Sequence, residues 1–564
     1  MIKLIECVPN FSEGQDQTKI NSIVNEIKNT NGVTLLNVDP GKATNRTVVT
    51  FVGNPEAVVE GAFKLIKKAA QLINMAEHTG EHPRMGATDV CPLIPISGIT
   101  MEETVEYSIK LAERVGNELQ IPTYLYENSA TELYKKNLAN IREGEYEGLQ
   151  NKINQSKWTP DYGSKNKKIL QRSGATAIGA RDFLIAYNIN LNTTSTRRAN
   201  AIAFDIREKG RIARKNNSLT GEILKDKQGN VIWTPGSLKH VKAIGWFIEE
   251  YGITQISMNL TNINETPIHI VFDEVCQKAN ARGIRVTGSE IVGLIPLKSI
   301  LDAGKYFLTK QKRSLGISEK EIIKIAQRTM GLDEIQPFKA EEKIIEYHIR
   351  DNKKKLINLS LKEFTQETAS ESPAPGGGSI SAYLGSLGAA LATMVANLSS
   401  HKRGWDNRWD EFSELAKAGQ CLIKELEKLV DEDTNAFKKI MIAYRLQNRT
   451  KAEEKTRKSE IENATHNAIL IPLKIMETSL KSMDLIASLT IKGNPNSVSD
   501  VGVAALCARS AVLGGYLNVL INVQDFQNQK EKIKILKKAE KIKKEAIIKE
   551  EKIIKTTLKV IKSK

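Results

Sequence analysis

The stretch VTLLNVDPGKATNRTVVTFVGNPEAVVEGAFKLIKKAAQLINM, residues 33–75, decides the fold class of the first half of the chain. It contains two strand-like runs that end at Gly or Pro, and a third run that begins at Pro55 and has apolar residues at helical spacing. Strands that alternate with helices are typical of α/β proteins. We therefore predict α/β architecture for this part of the chain.

The alternation of strands and helices continues to about residue 330. Residues 183–191 read as a further strand, and residues 268–283 read as a helix. Residues 221–236 read as an inserted hairpin that turns at Gly229-Asn230. We predict that this part of the chain forms two α/β subdomains, at residues 1–180 and 181–335.

The second half of the chain has a different pattern. A charged connector over residues 336–358 precedes long helical patterns, which predict an all-α helical-bundle domain over residues 359–564. Its segment SPAPGGGS, residues 372–379, has the composition of a flexible linker. The uncharged residues 376–400 are long enough to cross a bilayer, but Gly, Ala and Ser dominate them. They predict a buried helix whose small residues let a neighbouring backbone approach closely, namely Gly385, Gly388, Ala389 and Ala392.

Composition narrows the class of protein. A chain of 564 residues exceeds the size of a single core, so several domains are expected. The five cysteines form no C-x-x-C pair, which fits a reducing compartment and argues against a thiolate metal site. Pro9 and Gly14 interrupt the N-terminal region before a long apolar run can form. We therefore expect no signal peptide and a cytoplasmic protein.

More than half of the net charge of +16 lies at the C-terminus. Residues 530–564 contain 14 lysines and 5 glutamates, a net charge of +9. Their apolar residues recur at a helical period and predict an amphipathic helix with a solvated basic face: Ile535, Ala539, Ile542, Ala546 and Ile553. Packing or oligomer contact, and attraction of an anionic partner, both remain open for this helix. Aromatic residues do not alternate with the basic ones, which argues against a base-stacking nucleic-acid platform.

The stretch AEHTGEHPRMGATDVCP, residues 76–92, carries two histidines four residues apart. A helix would place both imidazoles on one face, but Gly80 lies between them and Pro83 disfavours helical backbone at His82. A helical zinc site is therefore not predicted. A loop histidine is also a candidate general acid or base near neutral pH. A polar turn is the alternative, and local chemistry does not decide between the two.

Longer strings of residues carry a resemblance to a known family. The first half resembles glutamate formimidoyltransferase in ECVPNFSEG (6–14), TNRTVVTFVG (44–53), GEHPRMGATDVCP (80–92), IPTYLYE (121–127) and GARDFLIAYNINL (179–191). The second half resembles formimidoyltetrahydrofolate cyclodeaminase in SPAPGGGS (372–379), LVDEDTNAF (429–437), GNPNSVSDVGVAA (493–505) and YLNVLINV (516–523). Their order on one chain is similar to that of the bifunctional formimidoyltransferase-cyclodeaminase family.

The resemblance implies an enzyme of histidine breakdown and one-carbon metabolism. Its first domain would transfer a formimidoyl group from N-formimidoyl-L-glutamate to tetrahydrofolate, the co-substrate, with or without a polyglutamate tail. His82 matches the family's catalytic histidine and would act as general base without a metal. Asp39 is the candidate to orient or stabilise its imidazole, or else a turn-forming residue. Substrate contacts are expected from Asn45 and from Arg46 and Arg84, whose guanidinium groups suit carboxylates, with a surface ion pair as the alternative for each arginine.

The resemblance also places folate contacts in the loop that follows WTPDYG. The expected residues are Gly163, Ser164, Lys165, Lys167, Lys168, Ser173 and Gly174. Three of them are lysines that suit the glutamate carboxylates of folate. A solvated loop is an equally good explanation of the lysines.

In the second domain, the resemblance implies that SPAPGGGS, residues 372–379, begins a ligand-binding site and is not a flexible linker. Gly376, Gly377 and Gly378 would bring backbone N–H groups close to a ligand at a helix start. Closure of the ring between N10 and the formimidoyl carbon expels ammonia, which needs an acid. Asp431 and Asp433 cannot share a helix face, and we expect Asp433 to point inward as that acid. Further candidates are Asp410, Lys402 and Asp500, the last of which is alternatively a helix N-cap.

Other functions remain open at this stage. One domain alone could be active, or the second domain could be a methenyltetrahydrofolate cyclohydrolase. A basic scaffolding or nucleic-acid-associated protein is the non-enzymatic alternative, which salt-sensitive binding to nucleic acid would favour. The preferred prediction is a homo-oligomeric enzyme that acts on small molecules, with no membrane or nucleic-acid partner.

Overall fold

The computed structural model describes residues 3–42, 44–80, 83–217, 221–249, 251–349, 355–372 and 374–563. The chain forms two compact units. The first comprises Met1–Ala303 and Met330–Arg350, and the second comprises Gly304–Thr329 and Asp351–Lys564. The second unit therefore includes residues 304–329, which the sequence pattern assigned to the second α/β subdomain.

Within the described residues, seven strands of the first unit form one mixed sheet: β1 (Leu4–Cys7), β2 (Asn10–Phe11), β3 (Val33–Gly41), β4 (Arg46–Gly53), β5 (Thr88–Ser97), β6 (Thr123–Leu125) and β7 (Thr176–Ala180). Strands β3 and β6 lie at its edges. Strand β4 pairs with β3 on one side and with both β1 and β2 on the other. Strands β1 and β2 also pair with β5. Strand β7 then lies between β5 and β6. Strands β5, β7 and β6 are parallel, whereas the other pairs are antiparallel.

The remaining strands belong to the second α/β subdomain: β8 (Ile185–Leu191), β9 (Arg211–Ile212), β10 (Trp233–Thr234), β11 (Val241–Ile248), β12 (Ile253–Leu260) and β13 (Val286–Val292). Four of them form an antiparallel sheet in the order β11-β12-β8-β13. Within residues 221–236, Lys225 and Val231 form an antiparallel bridge around the predicted turn, where Gly229 has a positive φ of 86°. Strand β10 of this segment pairs with β9, which lies before it.

The helices of the chain, by the described residues, are α1 (Gln17–Lys28), α2 (Pro55–Leu72), α3 (Met101–Leu119), α4 (Leu138–Arg142), α5 (Glu145–Lys152), α6 (Lys167–Ser173), α7 (Thr196–Ile206), α8 (Ile268–Asn280), α9 (Leu297–Lys310), α10 (Glu319–Thr329), α11 (Ala340–Lys343), α12 (Ile345–His348), α13 (Leu361–Thr368), α14 (Gly377–Ser400), α15 (Trp409–Tyr444), α16 (Lys451–Lys492), α17 (Val498–Asn522) and α18 (Gln529–Lys562).

The first sheet has one apolar face and one face with polar side chains. Helices α1, α2 and α3 cover the apolar face with a core that includes Ile5, Cys7 and Phe51. Helix α2 starts where the sequence predicts, because Pro55 occupies its first turn and the side chain of Asn54 accepts a hydrogen bond from the backbone N–H of Ala57. Side chains alternate along a strand, so the residues between the core positions face the other side.

Helices α14 to α18 of the second unit form the predicted helical bundle. Gly385 lies against Leu426 of α15 and Ser479 of α16, and Gly388 lies against the backbone of Ala504 of α17, so an added Cβ at either glycine would crowd a neighbouring helix. The small residues of α14 therefore allow the close approach that the sequence predicts. By length and hydropathy, α14 and the segment Pro495–Asn522 would suffice to cross a membrane. In α14, 61% of the most apolar window is buried inside the protein.

The C-terminal helix also follows its sequence pattern. Ile535, Ala539, Ile542, Ala546 and Ile553 of α18 are all buried. The lysines between them form the solvated face, as expected of an amphipathic helix. The fold class predicted from the sequence, two α/β subdomains followed by an all-α domain, is confirmed.

Candidate active sites

Most of the predicted transferase residues lie along one edge of the first sheet, here the edge formed by the ends of its strands and not by an outermost strand. Strand β4 runs in the direction of β5, β6 and β7, because β1 is antiparallel to both β4 and β5. The start of these four strands therefore shares an edge with the end of the antiparallel β3. The predicted residues at or beside this edge are Asp39, Asn45, Arg46, Arg84, Ser173 and Gly174.

Asp39 and Arg46 lie on the polar face of this edge. Asp39 pairs with Val48, and Arg46 is two residues from Val48, so both side chains leave the sheet on the face opposite the helices. Asp39 is exposed. Arg46 is half-buried and donates a hydrogen bond from Nη2 to Oδ1 of Asn10 at 2.5 Å. Burial lowers the pKa of Arg46, the nearby Asp89 opposes this shift, and the positive charge of Arg142 adds to it.

His78 is fixed in the loop that precedes His82. Its Nε2 lies 2.9 Å from the carbonyl oxygen of Asn45, so Nε2 must donate. Its Nδ1 accepts from Nε of Arg84 at 3.4 Å. These contacts assign a neutral imidazole with its proton on Nε2. His78 therefore holds the loop onto the turn before β4.

Arg84 is the main anchor of the same loop. Its Nη1 donates to Glu145 and Glu147 at 3.1 and 2.9 Å, and its Nη2 donates to Glu147 at 2.6 Å and to the carbonyl of His78 at 3.3 Å. These contacts, with Glu147 first, raise the pKa of Arg84. A substrate carboxylate could reach this guanidinium only by displacing a glutamate. Its place in the structure is that of a loop anchor.

His82, the predicted general base, lies outside the described residues, as does Glu81. The segments on both sides of it are described. Asn45 donates from Nδ2 to the carbonyl of Thr79 at 2.8 Å, and Met85 donates its backbone N–H to Asp89 at 3.1 Å. The two ends of the histidine loop are therefore both attached to the edge that carries Asp39 and Arg46.

The predicted folate loop contains a helix, which corrects the expectation of an irregular loop. Helix α6 begins after Asn166, whose side chain accepts from the backbone N–H of Lys168 at 2.9 Å. Its lysine-rich first turn is exposed, with Lys165, Lys167 and Lys168 in solvent. A cavity of about 680 Å³ lies beside this helix and is lined by residues that include Ala76, Tyr146, Lys168 and Arg172.

The two ends of this segment have different environments. Gly163, at φ 89°, packs against the backbone of Ile121, and Ser164 donates to the carbonyl of Gln120 at 3.3 Å. At the other end, Ser173 accepts at its carbonyl from the N–H of Ala87 at 2.8 Å, and Gly174 packs against the backbone of Met85. Only the Ser173–Gly174 end is joined to the segment after His82.

Asp89 and Arg142 were not among the predicted site residues, but the structure joins them beside the histidine loop. Asp89 is 1% exposed and accepts two hydrogen bonds from Arg142, from Nε at 3.3 Å and Nη2 at 2.5 Å. The two residues are 53 positions apart, and neither belongs to a pattern that predicts the contact. The glycine-rich context GATD before the buried strand β5 was the one available signal.

In the helical unit, Asp433 faces the start of α14. Ser379 donates from Oγ to Oδ2 of Asp433 at 3.1 Å, and an added Cβ at Gly378 would overlap the same carboxylate. Gly377 lies next to the side-chain amide of Asn518. Gly376 is the N-cap of the helix, so SPAPGGGS leads directly into α14. The structure thus brings Gly376, Gly377, Gly378 and Asp433 together.

Asp433 and Asp431 point in different directions, as expected from their spacing. Burial raises the pKa of Asp433, and its hydrogen bonds with Ser379 oppose the shift. Asp431 accepts a hydrogen bond from the backbone N–H of Leu356 at 2.8 Å, so it is a structural cap and does not simply stay in water. A cavity of about 980 Å³ adjoins this region, with Asp431 and Thr434 in its wall.

The other predicted residues lie at the opposite end of the bundle. The ammonium of Lys402 is 4.0 Å from the ring centre of Trp405. Asp410 is exposed in the first turn of α15. It precedes Asp433 by 23 residues, which is about 34 Å of helix at 1.5 Å per residue. Asp500 lies in the first turn of α17 but is not its N-cap, which corrects that alternative.

Among the described residues, no group of three or more His, Cys, Asp or Glu side chains is arranged to hold a metal ion.

Comparisons with known proteins divide the chain into three consecutive parts, as the sequence pattern does. Three family models match it: the N-terminal subdomain of the formiminotransferase domain over residues 4–181, the formiminotransferase domain over residues 186–350, and formiminotransferase-cyclodeaminase over residues 360–541. The class is thus a formiminotransferase domain followed by a cyclodeaminase domain.

Similar full-length proteins narrow this class. Formimidoyltransferase-cyclodeaminase of Mus musculus is 41% identical over 527 residues, which are 93% of each chain. Glutamate formimidoyltransferase of Streptococcus pyogenes serotype M1 is 42% identical over 55% of this chain and 94% of its own. Methenyltetrahydrofolate cyclohydrolase of Methylorubrum extorquens is 31% identical over 30% of this chain and 83% of its own. The chain belongs to the formimidoyltransferase-cyclodeaminase family.

Proposed function

We propose that this protein transfers the formimidoyl group of N-formimidoyl-L-glutamate to tetrahydrofolate and then converts 5-formimidoyltetrahydrofolate to 5,10-methenyltetrahydrofolate and ammonia. The α/β unit performs the transfer and the helical unit performs the cyclisation. The observation that carries the proposal is the convergence of Asp39, Arg46 and the anchored histidine loop on one sheet edge. Family membership supports the same pair of reactions.

In the transfer step, N5 of tetrahydrofolate attacks the amidine carbon of the donor. His82 removes the N5 proton as the new bond forms, and it returns a proton to the glutamate nitrogen as that nitrogen leaves. One imidazole completes both halves, so the step as proposed includes no metal. Asp39 stabilises the imidazolium, as a carboxylate does in other acid–base pairs.

The substrates carry carboxylates that the site has cations to bind. Arg46 is the proposed partner of a donor carboxylate, since a half-buried guanidinium forms strong paired hydrogen bonds. Lys167 and Lys168 on α6, and Lys165 just before it, lie in solvent, where they can attract the glutamate tail of folate. The cavity beside α6 reaches Ala76 of the histidine loop and supports the placement of folate there.

In the cyclisation step, N10 attacks the formimidoyl carbon and the amidine nitrogen leaves as ammonia. That nitrogen must first be protonated, and Asp433 is the proposed acid. Its raised pKa keeps the carboxyl protonated to higher pH than an ordinary aspartic acid. The backbone N–H groups at Gly377 and Gly378 are placed to bind polar groups of folate. Lys402, Asp410 and Asp500 form a separate group at the other end of the bundle.

A coupled assay tests both steps. The intact protein should consume N-formimidoyl-L-glutamate and tetrahydrofolate and release equal amounts of glutamate, ammonia and methenyltetrahydrofolate. His82→Ala should lose transfer but still cyclise supplied 5-formimidoyltetrahydrofolate. A variant with the full transfer rate would refute the role of His82, and an intact protein that gives neither product would refute the proposal.

A cyclohydrolase activity of the helical unit is the second candidate, because a named cyclohydrolase is among the relatives. Methenyltetrahydrofolate supplied without any formimidoyl donor distinguishes the two. Cyclodeamination predicts no consumption of that compound, whereas a cyclohydrolase would convert it to 10-formyltetrahydrofolate. A cytoplasmic location and a homo-oligomeric state complete the proposal, and fractionation and light scattering test them.

A further inference from the structure

We propose that Arg142 binds a carboxylate of N-formimidoyl-L-glutamate and makes the transfer step specific for a dicarboxylate donor. This inference rests on the proposed transfer function. It adds a specificity residue that lies 60 positions from the histidine loop in the sequence and carries no motif of its own.

Only some of the N–H donors of the Arg142 guanidinium have a hydrogen-bond acceptor within the described part of the protein. Its side chain is 15% exposed and donates from Nε and Nη2 to the carboxylate of Asp89. A guanidinium has five N–H donors, two of them on Nη1. Among the residues that the structure describes, no acceptor lies within hydrogen-bond distance of Nη1. Asp89 therefore holds Arg142 in one orientation, and the N–H donors on Nη1 remain available for a ligand.

Asp89 couples this arginine to the histidine loop. Besides Arg142, the same carboxylate accepts the backbone N–H of Met85, three residues after His82. Asp89 is 1% exposed, so both contacts are shielded from water. A ligand group bound to Arg142 is thus held by the same buried carboxylate that positions the loop.

A second guanidinium lies nearby. Burial lowers the pKa of Arg46, the charge of Asp89 opposes that shift and the charge of Arg142 adds to it, so the three groups are close enough to interact. A carboxylate between two guanidinium groups is the arrangement that proteins use for strong anion recognition. Arg84, the other arginine of this region, has its donors engaged by Glu145, Glu147 and His78. Arg142 is therefore better placed than Arg84 to take a substrate carboxylate.

Arg142→Met tests the inference in the full-length protein. We expect KM for N-formimidoyl-L-glutamate to rise about 10- to 100-fold, the effect of losing a charge-assisted hydrogen bond, with KM for tetrahydrofolate within about twofold of wild type. Arg142→Lys should recover part of the loss. The matched control is Arg114→Met, which removes an arginine of α3 that pairs with Glu60 of α2 and Glu118 of α3 and should leave both KM values unchanged.

Donor analogues separate recognition from structural support. N-formimidoyl-4-aminobutyrate lacks the α-carboxylate, and N-formimidoyl-L-norvaline lacks the γ-carboxylate. One of the two analogues lacks the carboxylate that Arg142 binds. With that analogue, wild type and Arg142→Met should have equal kcat/KM, because Arg142 has no group to bind in either case. A variant that loses the same factor with the natural donor and both analogues overturns the inference. If wild type itself releases no glutamate from the natural donor in the presence of tetrahydrofolate, the proposed function fails instead.

Discussion

Ser379 donates a hydrogen bond from its Oγ to Oδ2 of Asp433 at 3.1 Å, and this contact joins the first turn of α14 to the middle of α15. Ser379 also donates to the carbonyl of Val430 at 2.9 Å, so its hydroxyl is shared between the two acceptors. Asp433 therefore lacks a full ion-pair partner among the described residues, and burial dominates its pKa. Burial of this carboxyl group without an ion-pair partner favours its protonated form more than exposure to solvent would.

Asp433→Asn should abolish cyclodeamination but not transfer. Loss of a general acid lowers a rate by about 100- to 10,000-fold. Because the raised pKa belongs to an acid, the wild-type rate should fall as pH rises through that pKa, and this limb should be absent from the residual rate of the variant. Ammonia release from supplied 5-formimidoyltetrahydrofolate, measured against pH, checks both expectations. Glu432→Gln, which removes the adjacent carboxylate paired with Lys428, is the control.

Gly378→Ala should damage the same site by a steric route. The added methyl group would overlap the carboxylate of Asp433, which would have to move from its described position. We expect at least a tenfold lower cyclodeamination rate with transfer unchanged. Gly148→Ala, on helix α5 with open space around the new Cβ, controls for the general effect of alanine on a helix. Wild-type cyclodeamination in Gly378→Ala would contradict the described packing.

Periodicity was sufficient to predict the classes of structure in this chain. The apolar spacing of α2 and α18 and the small residues of α14 each led to the correct helix, since one face of each packs against a neighbour. The helix α6 was missed because KNKK is highly charged and resembles a solvated loop. Its one local signal was Asn166, which caps the helix.

Spatial grouping of the site residues was harder to predict. Asp89 and Arg142 meet only because α4 packs near the start of β5, and no local pattern records a contact over 53 residues. Asp433 was preferred as the acid and Asp410 was a further candidate, and helix α15 separates the two by about 34 Å. The length of a straight helix sets such a distance. A match between short sequence strings and a family does not say how far apart two residues lie in space.

Asn522→Ala should weaken the helical unit locally. Pro472 lies inside α16 and has no N–H to donate to the carbonyl of Ala468, and Nδ2 of Asn522 fills that place at 2.8 Å. An unsatisfied buried carbonyl costs about 1–3 kcal/mol. Hydrogen–deuterium exchange around residues 466–476 should accelerate, while the exposed control Gln524→Ala should not change it. Unchanged exchange in Asn522→Ala would show that another donor satisfies this carbonyl.

Arg84→Lys should slow transfer by at least tenfold and leave cyclodeamination intact. Lysine keeps the charge but cannot contact Glu147 through two nitrogens and His78 through a third. The loop that carries His82 would then lose its fixed position, so the defect should appear in kcat. Arg114→Lys provides the same substitution at a pair far from the loop. A purely substrate-binding role would instead raise KM for the donor with little change in kcat.

Glu6→Gln should change how the stability of the α/β unit depends on pH. Glu6 is 4% exposed, and burial raises its pKa to about 7, with Arg181 opposing and Glu346 adding to the shift. Between its ordinary value of 4.5 and about 7, the folded protein holds a proton that the unfolded chain releases. The free energy of unfolding should therefore decrease as pH rises through this window, by on the order of 3 kcal/mol in total.

The variant isolates this contribution because Gln cannot ionise. Urea unfolding followed by circular dichroism at pH 5 and pH 8 should show Glu6→Gln gaining stability relative to wild type at the higher pH. Cys7, the next residue, is buried as well, and Glu6 contributes to its raised pKa, so the thiol does not ionise in this window. Glu106→Gln, at an exposed position on α3, should follow the wild-type curve. An identical pH slope in wild type and Glu6→Gln would mean that Glu6 is ionised in the folded protein at neutral pH.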